Sequence, residues 1–159
     1  MIIIVMGVSG SGKTEIGQQL AESLDFQFKD ADEFHSHENI DKMEKNIPLT
    51  DEDRQPWLET IQTEIDRWLQ QNQNVVLGCS ALKAKYRQML WRDSENMKLV
   101  YLQGSYTLIE ERLKNRQDHF MKADLLKSQF SDLEEPKEGI WIDISQTPSE
   151  IVKQIREAL

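Results

Sequence analysis

The sequence has little of what a secreted, membrane-spanning or nucleic-acid-binding protein needs. Its single cysteine, Cys79, cannot form an internal disulfide or build a zinc site alone, so we expect a reducing, cytoplasmic location. The 28 acidic residues outnumber the 19 basic ones and give a formal charge of −9. This balance argues against nucleic acid as a partner, because a phosphate backbone attracts a basic surface. The longest opening apolar run, MIIIVM, is far too short to span a membrane, so we expect a strand there and no membrane partner.

Glycine and proline are also scarce. Seven Gly and four Pro are too few for a flexible linker or a low-complexity tract. A chain of 159 residues with 38% hydrophobic residues fits one core, so we expect a single domain over residues 1–159.

Short apolar runs alternate with segments of helical periodicity along the whole chain. The predicted strands are Ile2–Met6, Phe26–Lys29, Val75–Cys79, Leu99–Leu102 and Ile140–Ile144. The predicted helices are Glu15–Leu24, about Asp51–Gln71, Ala81–Arg92, Tyr106–Arg116 and Pro148–Leu159, with Ser80, Ser105 and Thr147 as N-caps. Because proline disrupts a helix interior, we expect a turn after Thr50 and a restart near Asp53, with Pro56 in the first turn. This alternation predicts an α/β fold with a parallel sheet covered by helices on both faces.

The residues after the first strand form a phosphate-binding loop. Gly7-x-x-x-x-Gly12-Lys13-Thr14 stands between a predicted strand and a predicted helix, which is the context that the motif requires. Backbone N–H groups of such a loop, including those of Ser9, Gly10 and Ser11, point at phosphates. Lys13 reaches the terminal phosphates, and the Thr14 hydroxyl can ligate magnesium. The sequence therefore predicts a nucleotide phosphate site.

Acidic and basic residues follow the other strands, and parallel strands bring their carboxyl ends to one edge. Asp30 and Asp32 come directly after the second strand, where one could serve a metal and the other an acceptor hydroxyl, although a solvated acidic turn is the alternative. The basic candidates are Arg54, Lys83, Arg87, Arg112 and Arg116. For any one of them taken alone, a surface role is the favoured alternative. The break after Arg116 predicts a lid over about residues 117–130. The four tryptophans are interpreted as packing residues.

Several segments resemble gluconokinase, the P-loop kinase family that phosphorylates D-gluconate. The resemblance rests on HSHENIDKMEKNIPLTDEDRQPWL, CSALKAKYR, VYLQGSYTLIEERLKNR and HFMKADLLKSQFSDLEEP, and it covers nearly the whole chain. It implies a three-layer P-loop kinase fold with sheet order 2-3-1-4-5 and a small lid. It also implies ATP and Mg²⁺ as cofactors and transfer of the γ-phosphoryl group to the 6-hydroxyl of gluconate. Family members are often dimers, so a homodimer is a further expectation.

The resemblance also implies roles for the candidate residues. Lys13 and Thr14 keep the phosphate and magnesium roles. Asp32 looks like the residue that orients the acceptor hydroxyl and Asp30 the one nearer the metal, although the reverse assignment stays open. The remaining assignments are a polyol and carboxylate pocket of His35, Arg54, Lys83 and Arg87, an adenine contact at Arg112, and a catalytic lid residue at Arg116.

The chain departs from the family pattern at a few positions. The family usually has proline where this chain has Ser36, commonly has glycine at Asn46, often has Lys-Gly at Gln117-Asp118, and has a small residue at Glu15. Two kinds of alternative remain open at this point. One is a related kinase acting on shikimate, a nucleoside or another polyhydroxy acid, and the other is a nucleotide-binding regulator without turnover.

Overall fold

The computed structural model describes residues 1–115 and 123–159. Its five strands are β1 (Ile2–Met6), β2 (Gln27–Asp30), β3 (Val75–Gly78), β4 (Met97–Gln103) and β5 (Ile140–Asp143). Its helices are α1 (Lys13–Leu24), α2 (His37–Glu44), α3 (Asp51–Gln70), α4 (Ala84–Leu90), α5 (Tyr106–Lys114), α6 (Ala123–Asp132) and α7 (Pro148–Ala158). Within these residues no helix is both long and apolar enough to cross a membrane.

The strands form one parallel sheet in the order β2-β3-β1-β4-β5, which confirms the predicted topology. β1 lies at the centre, and all five of its residues are buried. Side chains alternate between the two faces of a strand, so Ile3 and Val5 belong to one core cluster while Ile2 and Ile4 belong to the other. The sheet is therefore the middle of three layers, which explains the continuous apolar run at the start of the sequence.

The two core clusters identify the helices on each face. The first includes residues from α1, α5, α6 and α7, and the second includes Trp57 and Trp68 of α3 together with Tyr86 and Leu90 of α4. The central strand ends at the phosphate loop. The loop residue Val8 is buried in the first cluster, so the layer of α1, α5, α6 and α7 anchors the loop.

Helix α3 covers the predicted span, but the restart expected near Asp53 does not occur. It starts at Asp51 and runs without a restart to Gln70, so Pro56 is its sixth residue. A capping box explains this start: Asp53 N–H donates to Thr50 Oγ1 at 3.1 Å, and Thr50 N–H donates to Asp53 Oδ2 at 2.9 Å. Acidic residues in the first turn also suit the helix dipole. These terminal interactions offset the hydrogen bond that proline removes.

Other sequence predictions failed at the ends of elements. The N-cap of α4 is Lys83, not Ser80, because the chain after β3 makes an irregular turn through Ala81 before it can become helical. Helix α2 was not predicted. Ser36, which stands at the family's usual proline, caps α2 by accepting a hydrogen bond from Asn39 N–H at 3.2 Å. Residues 117–122 of the predicted lid lie outside the described residues, and residues 123–130 belong to helix α6, which was likewise not predicted.

The departure at Asn46 has a backbone explanation. This residue follows α2 with φ of +61°, a left-handed conformation in which glycine is favoured and asparagine is tolerated. Its Oδ1 atom is buried and has no hydrogen-bond partner among the described residues. Asparagine is therefore accommodated at a turn position that favours glycine.

We expect Asn46→Gly to be more stable than Asn46→Ala by about 1 kcal/mol, because both variants remove the unpaired oxygen and differ only in a Cβ at positive φ. Urea unfolding of the two variants measures the difference. The matched pair Gln18→Gly and Gln18→Ala, at an exposed position of α1, should show the opposite order because alanine is the better helix former. The same order at both positions would contradict the explanation.

Candidate active site

The loop between β1 and α1 has the geometry of an anion cradle. Gly10 and Gly12 have φ of +84° and +96°, which turn successive amides toward one side of the loop. Gly12 occupies the cap position of α1 and has no side chain with which to cap the first helical amides. The Lys13 ammonium folds over the loop and donates to Val8 O at 3.1 Å. Positive potential from the helix and from Lys13 therefore meets at one place.

Ser11 supports a ligand at this loop. Its Oγ atom is buried and has no hydrogen-bond partner among the described residues. A buried hydroxyl without a partner is costly. A phosphate oxygen at the loop would accept that hydrogen bond, so these residues fit a nucleotide phosphate.

The carboxylate pair lies directly beside the loop. The Thr14 hydroxyl approaches Asp30 Oδ2 at 3.4 Å, and Asp32 N–H donates to Asp30 Oδ1 at 2.9 Å. Burial raises the pKa of Asp30, and the neighbouring Asp32 charge raises it further. A cation near Thr14 and Asp30 would relieve this repulsion. The donor set of a hydroxyl and a carboxylate suits Mg²⁺, which takes few protein oxygens and keeps water and phosphate ligands.

His35 and Trp57 form an aromatic wall of the same cleft. Their rings stack with centroids 4.3 Å apart and planes 10° apart, and Trp57 Nε1 donates to Ala31 O at 2.7 Å. Burial lowers the pKa of His35 to about 4, with the Arg54 charge acting in the same direction. His35 is therefore neutral at pH 7.

Arg54 brings a buried positive charge to the cleft. The residue is 8% exposed, and its Nη1 atom donates to Tyr86 OH at 2.9 Å and to Asp132 Oδ2 at 3.0 Å. Tyr86 in turn donates to Asp51 at the start of α3. Hydrogen bonds from both sides compensate the desolvation of the guanidinium and hold it against the wall of the cleft.

The structure places Lys83 and Arg87 behind this wall. Lys83 Nζ pairs with Asp51 Oδ1 at 2.8 Å. Asp51 also accepts a hydrogen bond from Tyr86, which in turn accepts one from Arg54, so Lys83 is linked to Arg54 through these two residues. Arg87 donates to Ala81 O and Glu134 O, each at 2.8 Å, and so braces the turn after β3. Neither side chain is among the described residues that line the cleft.

Arg112 lies on the opposite side of the phosphate loop. It shares a shallower depression with Gly10, Gly12, Asn115 and Pro148, and its Nη2 atom donates to Ile144 O at 2.8 Å. A planar cation at this place is compatible with a nucleotide base. Arg116, the predicted catalytic lid residue, lies outside the described residues.

One cleft unites most of the predicted site. Its lining includes the predicted residues Ser9, Gly10, Gly12, Lys13, Thr14, Asp30, Asp32, His35 and Arg54. It also includes residues that sequence reasoning did not select, namely Met43, Ile47, Pro48, Leu49, Trp57, Leu125, Ser128 and Gln129. Gly7 lies at the start of the loop, outside this lining.

Some of the missed residues left a signal in the sequence. Trp57 follows Arg54 by three residues, a spacing that puts two helical side chains on one face. Gln129 could not be found in this way: its Oε1 accepts from Ser9 N–H at 2.6 Å across 120 residues of chain. Only the folded structure brings those two residues together.

Comparison with known proteins gives one match at the level of the fold, to shikimate kinase, and a closer sequence match, to gluconokinases. The family model described as shikimate kinase matches residues 9–159. Shikimate kinase from Aquifex aeolicus superposes with a TM-score of 0.68 and covers 99% of this chain and 95% of its own, but at 19% identity it shows the fold alone. The sequence match to gluconokinases is much stronger. A probable gluconokinase of Dictyostelium discoideum is 46% identical over 98% of this chain and 84% of its own length. The chain belongs to the gluconokinase family.

Other members of the gluconokinase family support the same grouping. The thermosensitive gluconokinase of Escherichia coli is 42% identical over 98% of this chain and 86% of its own length. The crystal structure of a gluconokinase from Sinorhizobium meliloti is 40% identical and superposes with a TM-score of 0.85, over 96% of this chain and 87% of that one. The gluconokinase resemblance read from the sequence is therefore confirmed, and the shikimate kinase match reflects the shared fold.

Proposed function

We propose that the protein transfers the γ-phosphoryl group of ATP to the 6-hydroxyl of D-gluconate, giving 6-phospho-D-gluconate and ADP. The observation that carries this proposal is the single cleft in which a phosphate loop, a carboxylate pair and a buried arginine meet. Gluconokinase relatives that match nearly the full chain support the choice of substrate. A small hydroxylated acid suits a wall that offers Arg54 for a carboxylate and polar groups for hydroxyls.

The nucleotide is assigned to the loop and to the depression beyond it. The Gly10 and Gly12 amides, the Ser11 hydroxyl and the Lys13 ammonium would hold the phosphates. The Ser9 and Ser11 amides already donate to Gln129 Oε1 and Val8 O and so brace the loop. Arg112 would lie against the base. Thr14 and Asp30 would hold Mg²⁺, which neutralises phosphate charge when bound. The 3.4 Å approach of Thr14 to Asp30 favours Asp30, not Asp32, as the metal residue.

Asp32 is then left to orient the acceptor. It lies on the wall of the cleft two residues after Asp30, and its backbone N–H already secures the Asp30 carboxylate. Its own carboxylate can accept a hydrogen bond from the hydroxyl that attacks phosphorus and can take the proton as the new O–P bond forms. Transfer of this kind depends on positioning and charge stabilisation more than on a strong base.

Arg54 and His35 would hold the rest of the acceptor. A guanidinium that already faces the cleft from a fixed position recognises a carboxylate with little loss of conformational freedom. Lys83 would contribute through Asp51 and Tyr86, and Arg87 by bracing the turn after β3. Arg54 Nη1 already donates to Tyr86 and Asp132, so a substrate carboxylate would bind the remaining N–H groups of the guanidinium, and an acceptor without a carboxylate would lose that interaction.

A coupled assay of ADP release tests the proposal. We expect release from Mg·ATP with D-gluconate and little with shikimate, a nucleoside panel or no acceptor, with the product identified by mass and by phosphorus NMR. Release with shikimate alone would keep the fold and the phosphate site but would overturn the acceptor assignment. Tight Mg·ATP binding without release for any acceptor would favour the nucleotide-binding regulator.

A further inference from the structure

Asn39 belongs to none of the motifs read from the sequence, but its side-chain amide contacts the Nδ1 atom of His35. Asn39 is the first buried polar residue of α2, with 5% of its surface exposed. Its side-chain amide nitrogen donates to Asp53 O at 2.8 Å and lies 3.3 Å from His35 Nδ1. The amide therefore connects the cleft wall to the capping box that starts α3.

The Asp53 contact settles which end of the Asn39 amide faces His35. A backbone carbonyl only accepts, so the Asn39 atom next to it must be the nitrogen. That NH₂ group has a second hydrogen, and His35 Nδ1 lies within its reach. A neutral imidazole has one donor and one acceptor nitrogen, so Nδ1 accepts and the proton resides on Nε2.

The surroundings keep the ring neutral and in place. The stack on Trp57 fixes the ring plane, and the neighbouring Arg54 charge disfavours a second proton. His35 lines the cleft, and Asn39 engages Nδ1, so Nε2 is the nitrogen that can meet a ligand. A neutral ring in this tautomer offers the cleft an N–H donor.

We propose that Asn39 is a positioning residue that holds His35 as the Nε2–H tautomer, so that His35 donates a hydrogen bond to an acceptor oxygen of the sugar acid and cannot act as its general base. The inference rests on the proposed function for the identity of the ligand. The tautomer itself does not depend on that function. Proton removal from the attacking hydroxyl is left to Asp32.

Long-range ¹⁵N–¹H correlation spectra of the histidine-labelled protein test the tautomer without substrate. The protein has three histidines, and His35→Gln assigns the His35 signals by their loss. At neutral pH we expect a protonated Nε2 and an unprotonated Nδ1. A proton on Nδ1, or on both nitrogens, would overturn the proposal whether or not the protein phosphorylates gluconate.

Kinetics then test the consequence. Asn39→Asp replaces the donor by a carboxylate that accepts from Nδ1–H, so at alkaline pH it should turn Nε2 into an acceptor. We expect the acceptor KM to rise about tenfold or more, with smaller changes in kcat and in the KM for ATP, because an acceptor now faces a substrate oxygen. In a His35→Gln background, whose amide has no tautomer to set, the same change should raise the acceptor KM clearly less, by only what the lost Asn39 hydrogen bond to Asp53 O costs.

Two outcomes of the kinetic experiment contradict the proposal. An equal effect of Asn39→Asp in both backgrounds would mean that Asn39 acts only through the fold. An unchanged acceptor KM in a variant whose spectrum shows the proton moved to Nδ1 would mean that His35 does not donate to the substrate. Thermal unfolding of each variant shows whether it is folded, so that a kinetic change caused by misfolding is recognised. The spectrum of the unaltered protein tests the tautomer independently of every variant.

Discussion

Replacing Lys13 with alanine is expected to lower kcat/KM for gluconate phosphorylation by at least about a thousandfold. The Lys13 ammonium lies over the phosphate loop, where it donates to Val8 O and lines the cleft. During transfer, negative charge on the phosphoryl group needs a cation already in position, because reorganising one at that moment would raise the barrier. The side chain is only half-buried at the first residue of α1, so the variant should fold. The ADP-release assay and a melting curve measure both effects.

The matched control for Lys13→Ala is Lys153→Ala. Lys153 is exposed on α7, away from the cleft, and its removal changes the net charge of the protein by the same amount. We expect its activity to stay within about twofold of the unaltered protein, as for most surface substitutions. Near-normal turnover of Lys13→Ala would contradict the assignment of the phosphate loop. A similar loss in both variants would point to net charge and not to the position of the ammonium.

The sheet could be predicted because each strand is a short apolar or alternating run and helical segments recur between the strands. Ile2–Met6 is buried on both faces, as a central parallel strand requires, and the periodic helices fix the alternation. The failures have local causes. Helix α2 has only eight residues, and its stability comes from the Ser36 cap and the burial of Met43 more than from periodicity. Helix α6 lies in the segment interpreted as a lid, although Leu125 and Leu126 are buried.

The candidate site could be predicted where the cleft is built from residues close together in sequence. The phosphate loop and the Asp30–Asp32 pair are of this kind, because a turn alone determines their geometry. The contacts that hold Arg54 and Trp57 at the cleft join residues that are far apart in sequence. Arg54 binds Asp132 across 78 residues, and Trp57 reaches Ala31 across 26. No spacing rule connects such positions, so sequence reasoning found Arg54 but not the contacts that hold it.

The resemblance implied direct substrate contacts for Lys83 and Arg87, and in the structure Lys83 pairs with Asp51 while Arg87 donates to backbone carbonyls of the turn after β3 and to Glu134 O. Asp51 accepts from Lys83, Lys85 and Tyr86, and these hydrogen bonds hold the pKa of its carboxyl below the usual range. Asp51 thus stays ionised and gives the Tyr86 hydroxyl a fixed direction, leaving its oxygen to accept from Arg54. Lys83 and Lys85 therefore act on the buried Arg54 guanidinium indirectly, through Asp51 and Tyr86.

Replacing Asp32 with asparagine should lower kcat for gluconate phosphorylation by about a hundredfold or more while the Kd for Mg·ATP changes little. The amide has the shape of the carboxylate but cannot accept the proton of the attacking hydroxyl. The Asp32 backbone N–H still donates to Asp30, so the residue that we propose as the metal ligand keeps its place. Loss of the Asp32 charge should also lower the pKa of Asp30, since that charge contributes to raising it. The Asp30 carboxylate, the proposed metal ligand, should therefore stay ionised over a wider pH range.

Single-turnover kinetics and nucleotide binding by calorimetry distinguish the roles of the two acids. Glu33→Gln is the matched control, because Glu33 is exposed in the same turn and is not among the described residues that line the cleft. It should leave both measurements unchanged. If Asp32→Asn weakens Mg·ATP binding and leaves the transfer step intact, Asp32 serves the metal and the acceptor hydroxyl belongs to Asp30. A slow transfer step with normal nucleotide binding supports the order that the Thr14 to Asp30 contact favours.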